Sequence, residues 1–179
     1  MKSTITHDEM ASAICNATTE VFTTMLGTEV TPGELRLSKT AGAAQSGVVA
    51  VLGLAGDWVG SGSLSCEPEL ACFLAGQLLM AEYAVIDEEV LDAVAEVANM
   101  IVGNIKTMLE DTLGPMGLST PTVIFGRNFE TRSVGNRDWV IVPFGCNEHT
   151  MEVQLSLAPN TGRSVRMSPG FPIEHEVAF

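Results

Sequence analysis

Basic residues are scarce in this sequence: nine lysines and arginines stand against 22 aspartates and glutamates, a formal net charge of −13. The nine form no cluster of the kind that a phosphate backbone requires, so nucleic acid is not an expected partner. The excess of acid serves solubility, or steers the protein toward a partner whose contact surface carries lysine. Long apolar runs are lacking too. No stretch approaches the ~18–20 apolar residues of a membrane span, and residues 1–9 have no apolar leader core, so a cytoplasmic protein with no membrane association is expected. Cysteine and histidine are few and scattered. Cys15, Cys66, Cys72 and Cys146 are scattered, Cys66 and Cys72 being too far apart for CxxC chemistry and having no histidine nearby in sequence to complete a zinc set, and free thiols are expected. His7, His149 and His175 are as dispersed, Glu174-His175-Glu176 reads as a solvated segment, and no metal site is expected.

Apolar residues, by contrast, are plentiful. At 46% hydrophobic and 17% charged, 179 residues can bury the core of one domain, or of two small similar lobes that share it. Thr6 and Glu9 make a capping box, after which Ile14, Val21, Phe22 and Met25 keep a helical period until Gly27. Residues 29–37, 47–54 and 58–66 read as strands, the last two a hairpin turning at Gly56-Asp57. Pro68 stands at a first helical position, and Leu70, Phe73, Leu74 and Leu78 follow at helical intervals. Asp87-Glu88-Glu89 opens a long helix that Gly114-Pro115 closes, and strands follow at 122–125, 139–144 and 151–157. The order predicts an α+β fold in which one αβββ unit is used twice, a pseudo-twofold repeat with long helices packed on an antiparallel-rich sheet. With Thr24-Met25-Leu26 laid on Thr107-Met108-Leu109, Asn99 falls on Asn16, Asp92 on Glu9 and Glu96 on Ala13. The first helix keeps the amide and lacks the central acid.

The long helix carries an unexpected column. At about 100° per residue, Asp92, Glu96 and Asn99 fall within roughly 60° of one another, with Gly103 between them one turn on. Val90, Val94, Val97, Ala98, Ile101, Ile105 and Met108 form the opposite, apolar face, so the column is predicted to point to solvent. An ordinary solvated face has the same pattern. Gly103 adds a second signal, because glycine costs about 1 kcal/mol against alanine in a helix interior. It either admits another protein close to Glu96 and Asn99 or lets two helices of this chain pack tightly.

Asp92-x-x-x-Glu96-x-x-Asn99, continuing as MIVGNIKTMLE, resembles the signature helix of the CheX and CheC family of chemotaxis phosphatases. In that family Asp or Ser is followed four residues on by Glu and three further by Asn. The stretch from Thr120 through Pro121, Val123 and Gly126 to Arg127 resembles the TPPTVxxGR strand that follows this helix in CheX proteins. The likeness covers roughly residues 5–158, which divides the chain into a domain at 1–158 and a C-terminal tail at 159–179. CheC proteins usually carry the signature on both helices and CheX proteins on one, so Ala13 places this chain with CheX.

The resemblance implies a pseudo-twofold CheC/CheX-like fold, a homodimer, and hydrolysis of the aspartyl phosphate of a CheY-type receiver. An acyl phosphate is already reactive, so catalysis needs mainly a positioned water and stabilised charge. By resemblance Asn99 positions the water, Glu96 pairs with the receiver's active-site lysine and Asp92 supports them, with Gly103 a further supporting candidate from its place on the same face. Mg²⁺ is then held by the receiver, and this chain needs no cofactor of its own. Two other classes stay open: a module of this fold that binds a receiver or a flagellar-switch partner without turnover, and a dimerisation domain. No histidine lies in a nucleophile motif, and Gly60-Ser61-Gly62-Ser63 falls inside a predicted strand.

Overall fold

The structure, a computed structural model, describes residues 4–39, 45–129 and 138–161. The expected tail beyond Thr161, with Glu174-His175-Glu176, lies outside the described residues. Helix α1, His7–Met25, starts where the sequence predicts: the Thr6 hydroxyl accepts from the Glu9 N–H at 3.2 Å while the Glu9 carboxylate accepts from the Thr6 N–H at 2.8 Å. Strands β1 (Thr31–Pro32), β2 (Arg36–Ser38), β3 (Gln45–Gly56) and β4 (Trp58–Cys66) follow. Helix α2, Pro68–Leu79, has its proline at the first position, where a missing N–H costs nothing. Helix α3, Glu88–Leu113, is capped by Asp87, whose carboxylate accepts from the Val90 N–H at 2.9 Å. It stops at Gly114, whose φ of +83° suits glycine and whose missing Cβ leaves room for the Asp57 carboxylate. Strands β5 (Met116–Leu118), β6 (Thr122–Phe129), β7 (Trp139–Cys146) and β8 (His149–Pro159) complete the fold.

Eight strands make one antiparallel sheet in the order β1-β7-β8-β4-β3-β5, with β2 beside β1 on the edge of β7 and β6 beside β5 on the edge of β3. The two repeats are therefore interlocked. The short strands after α1 pair with β7 of the second half, and those after α3 pair with β3 of the first. The helices cross over as well, α1 onto β7 and β8 and α3 mainly onto β3 and β4, with α3 also packing against both α1 and α2. The centre of the sheet is the β4–β8 pair, in register from Trp58↔Pro159 to Cys66↔Met151. Beyond it the Asn160 N–H donates to the Asp57 carbonyl at 2.8 Å, so the first residues assigned to the tail are tied to the fold.

Four details differ from the sequence-based expectation. The strand expected at 29–37 is two short pieces, and β5 was not anticipated, because three residues after Gly114-Pro115 are too few for a periodic signal. Met25 and Met108, placed on apolar faces, are half exposed. Met108 flanks a groove of about 270 Å³ between the start of α1 and the end of α3, lined also by Ile5, Ala13, Asn16 and Leu109, where small neighbours do not fill the space. Ala13 is buried although its sequence counterpart Glu96 is exposed. From Met10 to Val21 the buried positions of α1 coincide with those of α3 one residue further along than the sequence match, so Asn16 and Asn99 are not equivalent about the helix axes.

The cysteines are free thiols; Cys66, Cys72 and Cys146 are buried and Cys15 is half-buried. Burial pushes the Cys66 thiol up to about 12.

Candidate active site

Helix α3 is fixed on three sides before it presents anything to solvent. Val90, Val94, Val97, Ala98, Ile101, Val102 and Ile105 are all buried, each of the valines and isoleucines contributing on the order of 1.5–3 kcal/mol relative to exposure. Beneath it, Gly62 of β4 allows close approach: a Cβ there would stand 2.8 Å from both γ-carbons of Val102. Gly60, two residues away, has room for no Cβ against the Ser156 carbonyl. The Gly60-Ser61-Gly62-Ser63 stretch is thus a packing feature of the sheet. At the far end, Glu110 accepts from Lys106 Nζ at 2.7 Å and from the Met116 N–H at 2.9 Å, which ties the last turn to β5. The Lys106 ammonium and the Met116 amide hold the Glu110 carboxyl below its ordinary value.

On the outer face of this rigid helix the structure brings together the predicted column. Asp92 and Glu96 are exposed, and Asn99 and Gly103 are half-buried. With 1.5 Å rise per residue, Glu96 and Asn99 stand about 4.5 Å apart along the axis and Asp92 about 6 Å before Glu96. Among the described residues, none hydrogen-bonds or ion-pairs with the side chain of Asp92, Glu96 or Asn99. Two other acids of the helix are engaged, Glu89 by the Tyr83 hydroxyl at 2.7 Å and Glu110 as above, whereas Glu88 and Asp111 near its ends have no such partner among the described residues. An acid and an amide one turn apart are thus left with their hydrogen-bonding capacity free, on a backbone that cannot yield.

Gly103 is decided by its surroundings. A Cβ added there would meet only Leu118 Cδ2, at 3.9 Å, an ordinary contact. Among the described residues nothing requires a glycine at that position, so tight packing within them does not explain it. Leu118 of β5, which borders the site there, has no signature in the sequence. The Thr120–Arg127 stretch that resembles the CheX strand belongs mostly to β6 and lies on the sheet edge, with Val123 packed against the core.

No group of three or more His, Cys, Asp or Glu side chains poised for a metal ion occurs among the described residues. Nor is any helix of those residues long and apolar enough to cross a membrane.

Comparison with known proteins gives the family. The CheY-P phosphatase CheX of Thermotoga maritima is 32% identical over 89 residues, a match that covers 49% of this chain and 57% of that protein. The crystal structure of chemotaxis protein CheX from Desulfovibrio desulfuricans superposes with a TM-score of 0.75 at 29% identity, covering 84% of this chain and 99% of that one. CheX of Borrelia burgdorferi, solved in complex with CheY, BeF₃ and Mg²⁺, superposes with a TM-score of 0.70 at 30% identity, covering 83% and 97%. The family model described as chemotaxis phosphatase CheX matches residues 48–145, from β3 through the whole of α3 to β7, and the chain belongs to the CheX family.

Proposed function

We propose that the chain is a protein phosphatase that hydrolyses the aspartyl phosphate of a CheY-type response regulator and so ends a chemotaxis or related two-component signal. The observation that carries this reading is the unengaged Glu96–Asn99 pair on the outer face of α3, within the segment the family model matches. Asn99 suits the positioning of a water because an amide both donates and accepts without titrating. That water bonds to phosphorus in line with the departing carboxylate oxygen; the P–O bond to the receiver's aspartate breaks, and H₂PO₄⁻ leaves with both protons of the water. Glu96 reaches the receiver's lysine, and Asp92 supports the pair. Mg²⁺ is bound by the receiver, and this chain supplies positioning and charge. The complex of the Borrelia relative with CheY supports the choice of partner.

We place the protein in the cytoplasm as a homodimer. The edge strands β6 and β2 offer backbone groups to a twofold partner, and Phe125 on β6 is half exposed. A monomer mass by light scattering at working concentration would remove the dimer. The central test follows phosphate release from a phosphorylated receiver. Binding of a beryllofluoride-locked receiver with no acceleration of release would make the protein a binding module without turnover, and no phosphorylation-dependent binding at all would leave a dimerisation domain.

A further inference from the structure

The turn between α2 and α3 displays apolar side chains to solvent. Leu79 is 46% exposed, Val85 69% and Met80 94%. Met80 is the C-cap of α2 and takes a left-handed conformation, φ 54° and ψ 43°, where glycine or asparagine is the usual occupant because larger L residues are strained there. A long thioether held in solvent at a strained position contributes nothing to this fold. The turn itself is well tied down: the Ala81 N–H donates to the Gly76 carbonyl at 3.3 Å, the Tyr83 hydroxyl donates to Glu89, and Asp87 caps α3. Around the apolar tip stand acids, Glu82, Glu88 and Glu89, and a groove of about 620 Å³ beside it is lined by Glu69, Phe73, Glu82 and Tyr83.

This tip runs directly into the helix that carries the site. Glu96 lies about 12 Å along α3 from Glu88, and the three residues back to Val85 add at most about 10 Å. A partner seated on Glu96 and Asn99 therefore reaches Val85 if it has the roughly 30 Å diameter of a small domain. We propose that Met80 and Val85 form a second contact patch for the receiver docked at Glu96 and Asn99, selecting a receiver face with an apolar depression bordered by lysine or arginine. Charge complementarity favours that occupant: the rim is acidic, a second copy of this chain at −13 would bring like charge to it, and the phosphorylated site beside it is the one the proposed function assigns. The inference rests on that proposed function for the identity of the partner.

The test is the double variant Met80→Asn, Val85→Ser. Asparagine accepts the left-handed backbone more readily than methionine, so the variant should melt at or above the wild-type temperature, an outcome that a structural role for the tip would reverse. Its Kd for a beryllofluoride-locked receiver, and its KM for the phosphorylated one, should rise about tenfold, with kcat moving far less. Unchanged Kd and KM overturn the patch while leaving the site on α3 intact. Weakened self-association with receiver binding unchanged overturns it in favour of a second copy as occupant. Wild-type protein that neither binds nor dephosphorylates any receiver sinks the proposed function, and this inference with it.

Discussion

Helices α1 and α3 are the two long helices of one repeated unit, yet their acids serve opposite ends. In α1 the first acid of the pattern, Glu9, is consumed by the capping box with Thr6. In α3 capping is done by Asp87, outside the pattern, and Asp92 and Glu96 are left unengaged. The central position differs as well: Ala13 is buried at the groove beside Met108, whereas Glu96 is exposed. A functional column on a helix needs its polar groups excused from structural duty, and only α3 meets that condition.

The largest test of this asymmetry pairs the two amides. Asn99→Ala should lower receiver dephosphorylation by about 10² or more, with affinity for the beryllofluoride-locked receiver little changed, because a lost water position is felt in the transition state. Asn16→Ala should leave both unchanged. Equal losses in the two variants would make the halves functionally equivalent after all, and full activity in Asn99→Ala would end the catalytic reading.

Glu96→Ala should act on binding as well as turnover, by about 2 kcal/mol, since a charge paired across an interface leaves its partner desolvated when removed. Ala13→Glu, which writes the missing acid into α1, should add no second site, and calorimetry should find it less stable because the position is buried. A gain of turnover in Ala13→Glu would show that the column on α1 is only one residue away from function.

Two glycines sharpen the same contrast. Gly62→Ala should destabilise the protein by about 1–3 kcal/mol, since its Cβ overlaps Val102 and lifts α3 from the sheet. Gly103→Leu should leave the melting temperature unchanged or slightly raised while weakening capture of the activated receiver. A fall in stability with unchanged binding would place Gly103 back in the interior.

How far this arrangement could be read from sequence depends on the range of the forces involved. The helices, the β3–β4 hairpin and the outward column were legible because caps, Pro68, Gly114 and 3.6-residue periodicity are local. The roles proposed for Glu96 and Asn99 were not in the spacing, which an ordinary solvated face shares; they came with the resemblance to CheX proteins. The interlocking of the halves was hidden, since nothing within 31–38 says that its partner is β7, a hundred residues away. Periodicity also misplaced Met25 and Met108, because it describes a helix as if its whole length were covered. The exposed tip at Met80 and Val85 has no periodicity to violate and leaves no mark in the sequence.

The smallest effects concern the acids that do serve structure. Hydrogen bonds from the Thr6 backbone and hydroxyl lower the Glu9 carboxyl from its ordinary value, as Lys106 and the Met116 N–H lower that of Glu110. A carboxylate depressed on folding stabilises the native state above its unfolded pKa, and that contribution disappears as pH falls through the lowered folded value. Glu9→Ala and Glu110→Ala should therefore melt somewhat below wild type at pH 7, with the gap narrowing below about pH 4.5, the ordinary value from which both are lowered. Glu9 is exposed and Glu110 half-buried at the surface, so screening keeps the differences small. Glu96→Ala should show no such gap at pH 7, because none of the described groups holds its carboxylate. A melting penalty at Glu96 as large as at Glu9 would mean that the acid on the outer face of α3 is also structural, and the division of labour between the two helices would fail.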